Sequence, residues 1–211
     1  MIIIAIDGPA AAGKGTLAKR LAATLKLPYL DTGLLYRATA KRVLEAKADP
    51  SDELAALAAA LALDDADTAR EDLRDAATSK AASQVSAIPA VRQTLLAYQR
   101  AYGSARGAVL DGRDIGTVIF PHADVKLFVT ASPKARAKRR HAEAVARGEA
   151  LSLEDVLADV IARDEADSTR ATAPLTPATD AILIDTTSMN ADDAYEHALK
   201  IIKTKTAKRS L

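Results

Sequence analysis

The sequence contains no cysteine and no tryptophan, and aromatic residues make up only 3% of its 211 positions. The first absence excludes disulfides, thiolate metal centres and cysteine nucleophiles, and it fits a reducing compartment, so a cytoplasmic location is expected. Scarce aromatics leave few flat faces on which unpaired bases could stack, which argues against a nucleic-acid partner. Net charge is also scarce. With 29 Lys+Arg against 28 Asp+Glu the formal charge is +1, so no field of one sign draws the chain to nucleic acid or to an anionic membrane. Long hydrophobic runs are missing as well: the apolar opening, residues 1–6, meets Asp7 without a basic segment before it. That is too short for a signal core or a membrane span, so neither secretion nor insertion is expected. His122, His141 and His197 show no metal-ligand spacing, and no Gly-x-Ser-x-Gly elbow is present.

What is present is an alternation. Short runs rich in Ile, Val and Leu (residues 2–6, 29–30, 108–110, 125–129 and 182–184) lie between longer stretches of helical periodicity. This predicts a small α/β fold, a three-layer arrangement with five parallel strands. Helices are expected over 15–25, 35–46, 54–63 and 90–102, the last started by Pro89, with a hairpin of 134–147 and 153–167 broken at Gly148. One domain of this length can bury its own core. Its expected parts are a core (1–31, 108–131, 173–211), a lobe (32–107) and a lid (132–172). Residues 49–75 carry nine acids and two arginines, which predicts a peripheral helical segment, and 203–211 reads as a basic tail that frays. Residues 134–147 carry six Lys/Arg against one acid, either a solvated face or a grip for phosphate.

The most specific motif is Gly8-Pro9-Ala10-Ala11-Ala12-Gly13-Lys14-Gly15-Thr16, set between the first strand and the first helix. Glycines let the backbone curl so that successive N–H groups converge on phosphate oxygens, the helix N-terminus adds positive potential, and Lys14 neutralises the outer phosphates. Gly15 stands where the general motif places a magnesium-ligating hydroxyl, and Thr16 follows one residue later. Mg²⁺ is therefore expected to be held mainly by nucleotide phosphates and water. Gly-Lys-Gly-Thr is the form found in nucleoside monophosphate kinases.

Three further clusters follow strand ends or sit on a helix. Asp31 and Thr32 fall at the edge where open α/β sheets bind ligands, with helix capping as the lesser alternative. Arg37 lies one turn further on. Asp111-Gly112-Arg113-Asp114 follows the third strand; Asp111 suits a metal-bound water, while Arg113 and Asp114 suit a phosphate or base edge or, alternatively, an ion-paired turn. Arg163 and Asp167 share a helix face, with Arg170 before Pro174, and alone they describe an ordinary surface helix.

In order and spacing these segments resemble the bacterial cytidylate kinases over nearly the whole chain. The resemblance rests on Ile6-Asp7-Gly8-Pro9 with Gly13-Lys14-Gly15-Thr16, Leu30-Asp31-Thr32-Gly33 with Tyr36-Arg37, Ala82-Ser83-Gln84-Val85, Asp111-Gly112-Arg113-Asp114-Ile115-Gly116-Thr117-Val118, and Arg170 with Ala173-Pro174-Leu175. It implies transfer of the γ-phosphoryl of ATP to CMP or dCMP with Mg²⁺, by a monomer. By resemblance, residues 8–16 and Arg139 would hold ATP, Thr32, Asp114 and Arg92 would contact cytosine, and Arg37 and Arg113 the acceptor phosphate. Arg163 and Asp167 would contact the sugar, and Arg170 the transferring group. Asp111 and, less directly, Thr16 are the candidates facing the metal. Arg136, Arg139 and Arg140 would arm the lid. Two departures stand out: the lobe, short and charged over 63–82, is expected to be more helical than the family's small sheet, and Ala166 and Ser168 replace lid arginines. A kinase of UMP or AMP, or a nucleotide-binding switch, are the competing readings.

Overall fold

A computed structural model describes residues 1–207. Five strands, β1 (Ile3–Asp7), β2 (Tyr29–Asp31), β3 (Ala108–Gly112), β4 (Val125–Thr130) and β5 (Ile182–Asp185), form one parallel sheet in the order β2-β3-β1-β4-β5. Every predicted strand is present, each reaching one or two residues further toward its carboxyl end. β1 and β3 are central and almost wholly buried, which is why their sequences are continuous apolar runs rather than alternating ones.

On one face Ile4, Ile6, Leu127 and Ile184 pack against Leu17 and Leu21 of α1 (Lys14–Leu25) and Ala198 and Ile202 of α9 (Ala191–Ala207). The other face sets Ala5 and Leu110 against Ile115 and Ile119 of a short π-helix (Ile115–Ile119). Each fully buried Ile or Leu contributes ~1.5–3 kcal/mol relative to exposure.

The segment between β2 and β3 is helical throughout: α2 (Thr32–Glu45), α3 (Glu53–Leu61), α4 (Asp65–Thr68), a 3-10 turn (Glu71–Arg74), α5 (Ala76–Val85) and α6 (Pro89–Arg106). It has its own core of Leu35, Val43, Val85, Val91 and Leu95. Asp52 caps α3 through the Leu54 amide at 2.9 Å, and Pro89 opens α6. The acidic stretch is bound inward by ion pairs of Arg42 with Asp67, and of Arg70 with Glu45 and Asp72.

After β4, α7 (Pro133–Ala146) and α8 (Leu153–Thr169) form the expected hairpin, turning at Gly148 with φ +81°. Its small core is Ala137, Val156 and Val160. The structure corrects the expected tail: 203–207 complete the last turns of α9, with Ile202 buried beneath them, while 208–211 lie outside the described residues. α5 and α9 were not expected as elements.

Candidate active site

The site opens at the carboxyl ends of β1, β3 and β4. β1 runs into the 8–16 loop, whose curl is set by left-handed backbone at Ala11 (φ +58°) and Gly13 (φ +86°). Gly8, at φ +147°, is obligatory in this fold because a Cβ there would lie 1.9 Å from the Val129 carbonyl oxygen. α1 begins at Lys14 with no side chain capping it, so its first N–H groups stay available to an anion.

Lys14 is buried, 6% exposed, and its Nζ donates to the Pro9 carbonyl at 2.8 Å. Burial first, and Arg113 second, lower its pKa to about 7, against the opposing pull of Asp111 and Asp7. Asp111 closes the floor. Its Oδ2 accepts from the Tyr29 hydroxyl at 2.9 Å and comes within 3.5 Å of where a Cβ on Gly15 would stand. Burial, and then Asp31, raise the Asp111 carboxyl to about 6. Tyr29 is a positioning residue that the motifs did not single out.

A cleft of about 510 Å³ is lined by this loop, Asp111 and a cluster of arginines that includes Arg37, Arg113, Arg139, Arg140 and Arg163. Arg113 is anchored to Asp167 at 2.7 Å. Arg37 donates to the Leu73 carbonyl at 3.0 Å and the Ser79 hydroxyl at 2.6 Å, so the helical lobe orients it. Burial, then Arg74, lower Arg37 to about 10; burial, then Arg113, lower Arg163 to about 9. The Arg163 Nε is buried without a hydrogen-bond partner. The fold thus holds several cations close together, with Asp167 paired to one of them.

A second cavity, of about 410 Å³, adjoins it and is lined by Tyr36, Pro89, Arg92, Leu96, Asp114 and Ala173 among others. Arg92 donates to Asp114 in a buried ion pair, and Arg92 also stands 5.6 Å over the Tyr36 ring. Thr32 donates to the Asp111 carbonyl at 2.8 Å.

The remaining expected residues fall in two ways. Arg139 lies at the mouth of the cleft, donating to the Thr186 hydroxyl at 3.0 Å and carbonyl at 2.5 Å. Thr186 in turn donates to the Ala12 carbonyl at 3.2 Å, so Arg139 is linked to the loop through it. Arg170 is set on the other side: its Nε donates to the Ala173 carbonyl at 2.7 Å and its Nη2 lies 3.8 Å from Asp114. In this structure it therefore faces the second cavity. Arg136 departs from the expected lid role. It is 3% exposed, grips Asp164 with both terminal nitrogens and donates to the Ala131 and Ala10 carbonyls. Charge alone left it as a solvated or phosphate-gripping group, whereas its position on the inner face of α7 makes it a tie between α7, α8 and the 8–16 loop.

The family model described as cytidylate kinase matches residues 4–204. The chain belongs to the cytidylate kinase family. A cytidylate kinase of Acidiphilium cryptum is 57% identical over 95% of this chain and 95% of its own, and one of Xanthobacter autotrophicus 54% identical over 99% and 100%. A third, of Granulibacter bethesdensis, is 52% identical over 97% and 98%. Among solved structures, a Thermus thermophilus protein overlays with a TM-score of 0.51 at 24% identity, covering 97% of each chain. An uncharacterised Eubacterium ventriosum protein overlays at 0.53 and 15% identity, covering 96% and 99%. These two likenesses speak to the fold. As a cytidylate kinase family member the chain is a nucleoside monophosphate kinase, a phosphotransferase drawing on ATP.

Asp7 escaped the sequence reading of the site. It ends β1, is 5% exposed, and accepts two backbone hydrogen bonds of 2.7 Å, from Ile115 to Oδ1 and from Gly116 to Oδ2. The signal available was a lone carboxylate at the end of a buried strand. Among the described residues, no cluster of three or more His, Asp or Glu could hold a metal ion, and no helix is long and apolar enough to cross a membrane.

Proposed function

We propose that this protein transfers the γ-phosphoryl of ATP to CMP or dCMP, with ATP in the larger cleft and the acceptor base in the smaller cavity. The observation that carries the assignment is the buried Arg92–Asp114 pair, a carboxylate positioned beside an apolar cavity that opens onto an arginine-lined phosphate site. Asp114 accepts from the exocyclic amine of cytosine, where uracil presents a carbonyl and is repelled. Arg92 and Thr32 complete the base contacts, Arg37 and Arg113 grip the acceptor phosphate, and Arg163 and Asp167 hold its sugar.

The loop amides of 8–16 hold the donor polyphosphate and Lys14 places its charge beside the outer phosphates. An oxygen of the acceptor phosphate attacks the γ-phosphorus in line; the bond to the β-bridging oxygen breaks, leaving ADP and CDP or dCDP. No covalent enzyme intermediate is involved, so positioning and charge neutralisation supply the catalysis. Lys14, with Arg139 and Arg170 brought in by closure of the 132–172 lid over the 1–31, 108–131 and 173–211 core and the 32–107 lobe, balances charge spreading over the transferred group. Closure also excludes water as a competing acceptor.

Mg²⁺ fits this site as a hydrated ion. Asp111 has Tyr29 on Oδ2 and a second oxygen for a metal-bound water, and Thr16 offers an exposed hydroxyl at the loop. When bound it supplies charge neutralisation between the β- and γ-phosphates. A cytoplasmic location and a monomeric state belong to the same proposal.

The test is ADP release with Mg·ATP against CMP, dCMP, UMP, AMP, GMP and dTMP at equal concentration. CMP and dCMP should lead. Preference for UMP or AMP would overturn the base contacts while keeping the kinase, and a lack of acceptor-dependent ADP would favour a nucleotide-binding switch.

A further inference from the structure

Asp114 occupies the position just before the π-helix at Ile115–Ile119, with φ −143° and ψ 24°. An aspartate so placed ordinarily turns its carboxylate onto the first free N–H groups of the helix it precedes. Here it makes no such capping bond, and its carboxylate is committed to Arg92, with Arg170 at 3.8 Å. The two free amides, of Ile115 and Gly116, are taken instead by Asp7, one by each oxygen at 2.7 Å. Asp7 lies 108 and 109 positions from these amides in sequence and immediately precedes Gly8 of the phosphate loop. Gly116 makes room for it, since a Cβ there would lie 3.3 Å from Asp7 Oδ2 and 3.1 Å from Lys126 Cδ.

We infer that Asp7 is a positioning residue for acceptor recognition: by capping the 115–119 turn from β1 it releases the Asp114 carboxylate for the nucleobase and fixes that reader in register with the phosphate loop. Two buried N–H groups that would each cost free energy if unpaired are satisfied by a distant carboxylate, so the carboxylate beside them is left for ligand chemistry. The Asp7 carboxylate thus adds a side-chain tie between the start of the donor loop and the turn that carries the base reader, beside the β1–β3 backbone pairing that ends at Asp7 and Gly112. The inference rests on the reading of Asp114 as the base contact.

The test compares Asp7→Asn, Gly116→Ala and Asp114→Asn in steady-state assays with CMP and with UMP, alongside ATP titration. Asp7→Asn keeps the shape but turns an amide donor toward one of the two N–H groups. It should raise KM for CMP about 10- to 100-fold, the effect of losing one or two hydrogen bonds to a charged group, and lower the CMP-to-UMP ratio of kcat/KM, with KM for ATP moved less than about threefold by the same reasoning. Gly116→Ala, which displaces the Asp7 carboxylate by a few tenths of an ångström, should shift the same ratio in the same direction by a smaller factor, and it decides the matter if Asp7→Asn does not fold. A purely structural Asp7 would lower the melting temperature and the active fraction while leaving both KM values and the ratio unchanged, and that result overturns the inference. If Asp114→Asn moves the ratio and neither other variant does, this inference alone fails. An unchanged ratio in Asp114→Asn removes the base-reading assignment and the inference with it.

Discussion

The affinity for ATP should fall steeply as pH rises through neutrality, because of Lys14. Its ammonium is buried beside Arg113, which lowers its pKa to about 7 in the ligand-free protein. A polyphosphate placed against it favours the charged form and returns the pKa to the alkaline range. Binding then takes up a proton whenever the free lysine is neutral. The apparent Kd follows the fraction of protein carrying the charge, so between pH 6.5 and pH 8.5 it should rise by about 25-fold, with about one proton taken up at the upper end. Asp7 and Asp111, both raised to about 6, titrate mostly below this window.

The assay is calorimetric titration with Mg·ATP in buffers of differing ionisation enthalpy, run beside Lys14→Arg, whose guanidinium stays charged and whose curve carries any titration of the nucleotide itself. A wild-type profile superimposable on that of Lys14→Arg, or binding without proton uptake, would refute the reasoning. Stability supplies a second sign. The folded pKa lies below the unfolded value of 10.5, so between about 7 and 10.5 the unfolded chain holds more protons. This group's contribution to ligand-free stability therefore grows as pH rises across that interval, while ATP binding weakens. A protein that lost both together would point to general alkaline unfolding instead.

Lys14→Met should reduce turnover by about 10³-fold or more with the fold retained, measured by ADP release and circular dichroism; near-normal activity in the folded variant would remove its assigned role. Gly103→Ala should destabilise the protein by about 1–3 kcal/mol in urea titration, because the added Cβ would meet Phe120 Cζ at 2.5 Å, and an unchanged midpoint would contradict that packing. Arg163→Met should raise the melting temperature of the ligand-free protein by about 2–4 °C, the effect of ~1 kcal/mol on a domain of this size, and lower turnover. A melting temperature that fell instead would show that its buried, unpartnered Nε is not a source of instability.

The strands were legible because a strand covered on both faces must be apolar along its whole length, and Ile3–Asp7 and Ala108–Gly112 are so covered. The phosphate loop was legible because its function lies in the backbone, which the glycine spacing encodes directly. α5 was not: its buried residues are Thr78, Ser79, Ala81, Ala82 and Val85, so the face packed on α2 carries almost no hydrophobic signal. α9 does carry one, in Ala194, Ala198, Leu199 and Ile202 at helical spacing, but the lysines at 203 and 205 drew attention to charge rather than to period. Arg136 shows the limit of a charge census, since composition cannot say which face of a helix a guanidinium occupies. Asp7 shows the limit of local motifs, because both of its partners come from the far side of β3. The 63–82 stretch was anticipated as helical from its lack of alternating β-branched residues. Its use was not, since only folding brings Leu73 and Ser79 to Arg37.

The arginines explain why the site is recognisable even without ligand. Arg37 and Arg163 have Arg113 and Arg140 among the charges that disfavour their ionised forms, so the fold holds like charges together against both desolvation and repulsion. A surface selected only for stability would disperse them or supply carboxylates. Several of the nearby carboxylates are already engaged: Asp167 pairs with Arg113, Asp114 with Arg92, Asp31 with Arg74, and Asp111 faces Lys14 and the Tyr29 hydroxyl. This excess of cations suits anionic ligands, in keeping with the ATP-dependent phosphoryl transfer of the family. Two phosphorylated substrates meeting end to end are ligands of that kind. Anions that bind only the folded state stabilise it by mass action, so substrate binding should both relieve the repulsion held at these arginines and raise the stability of the fold.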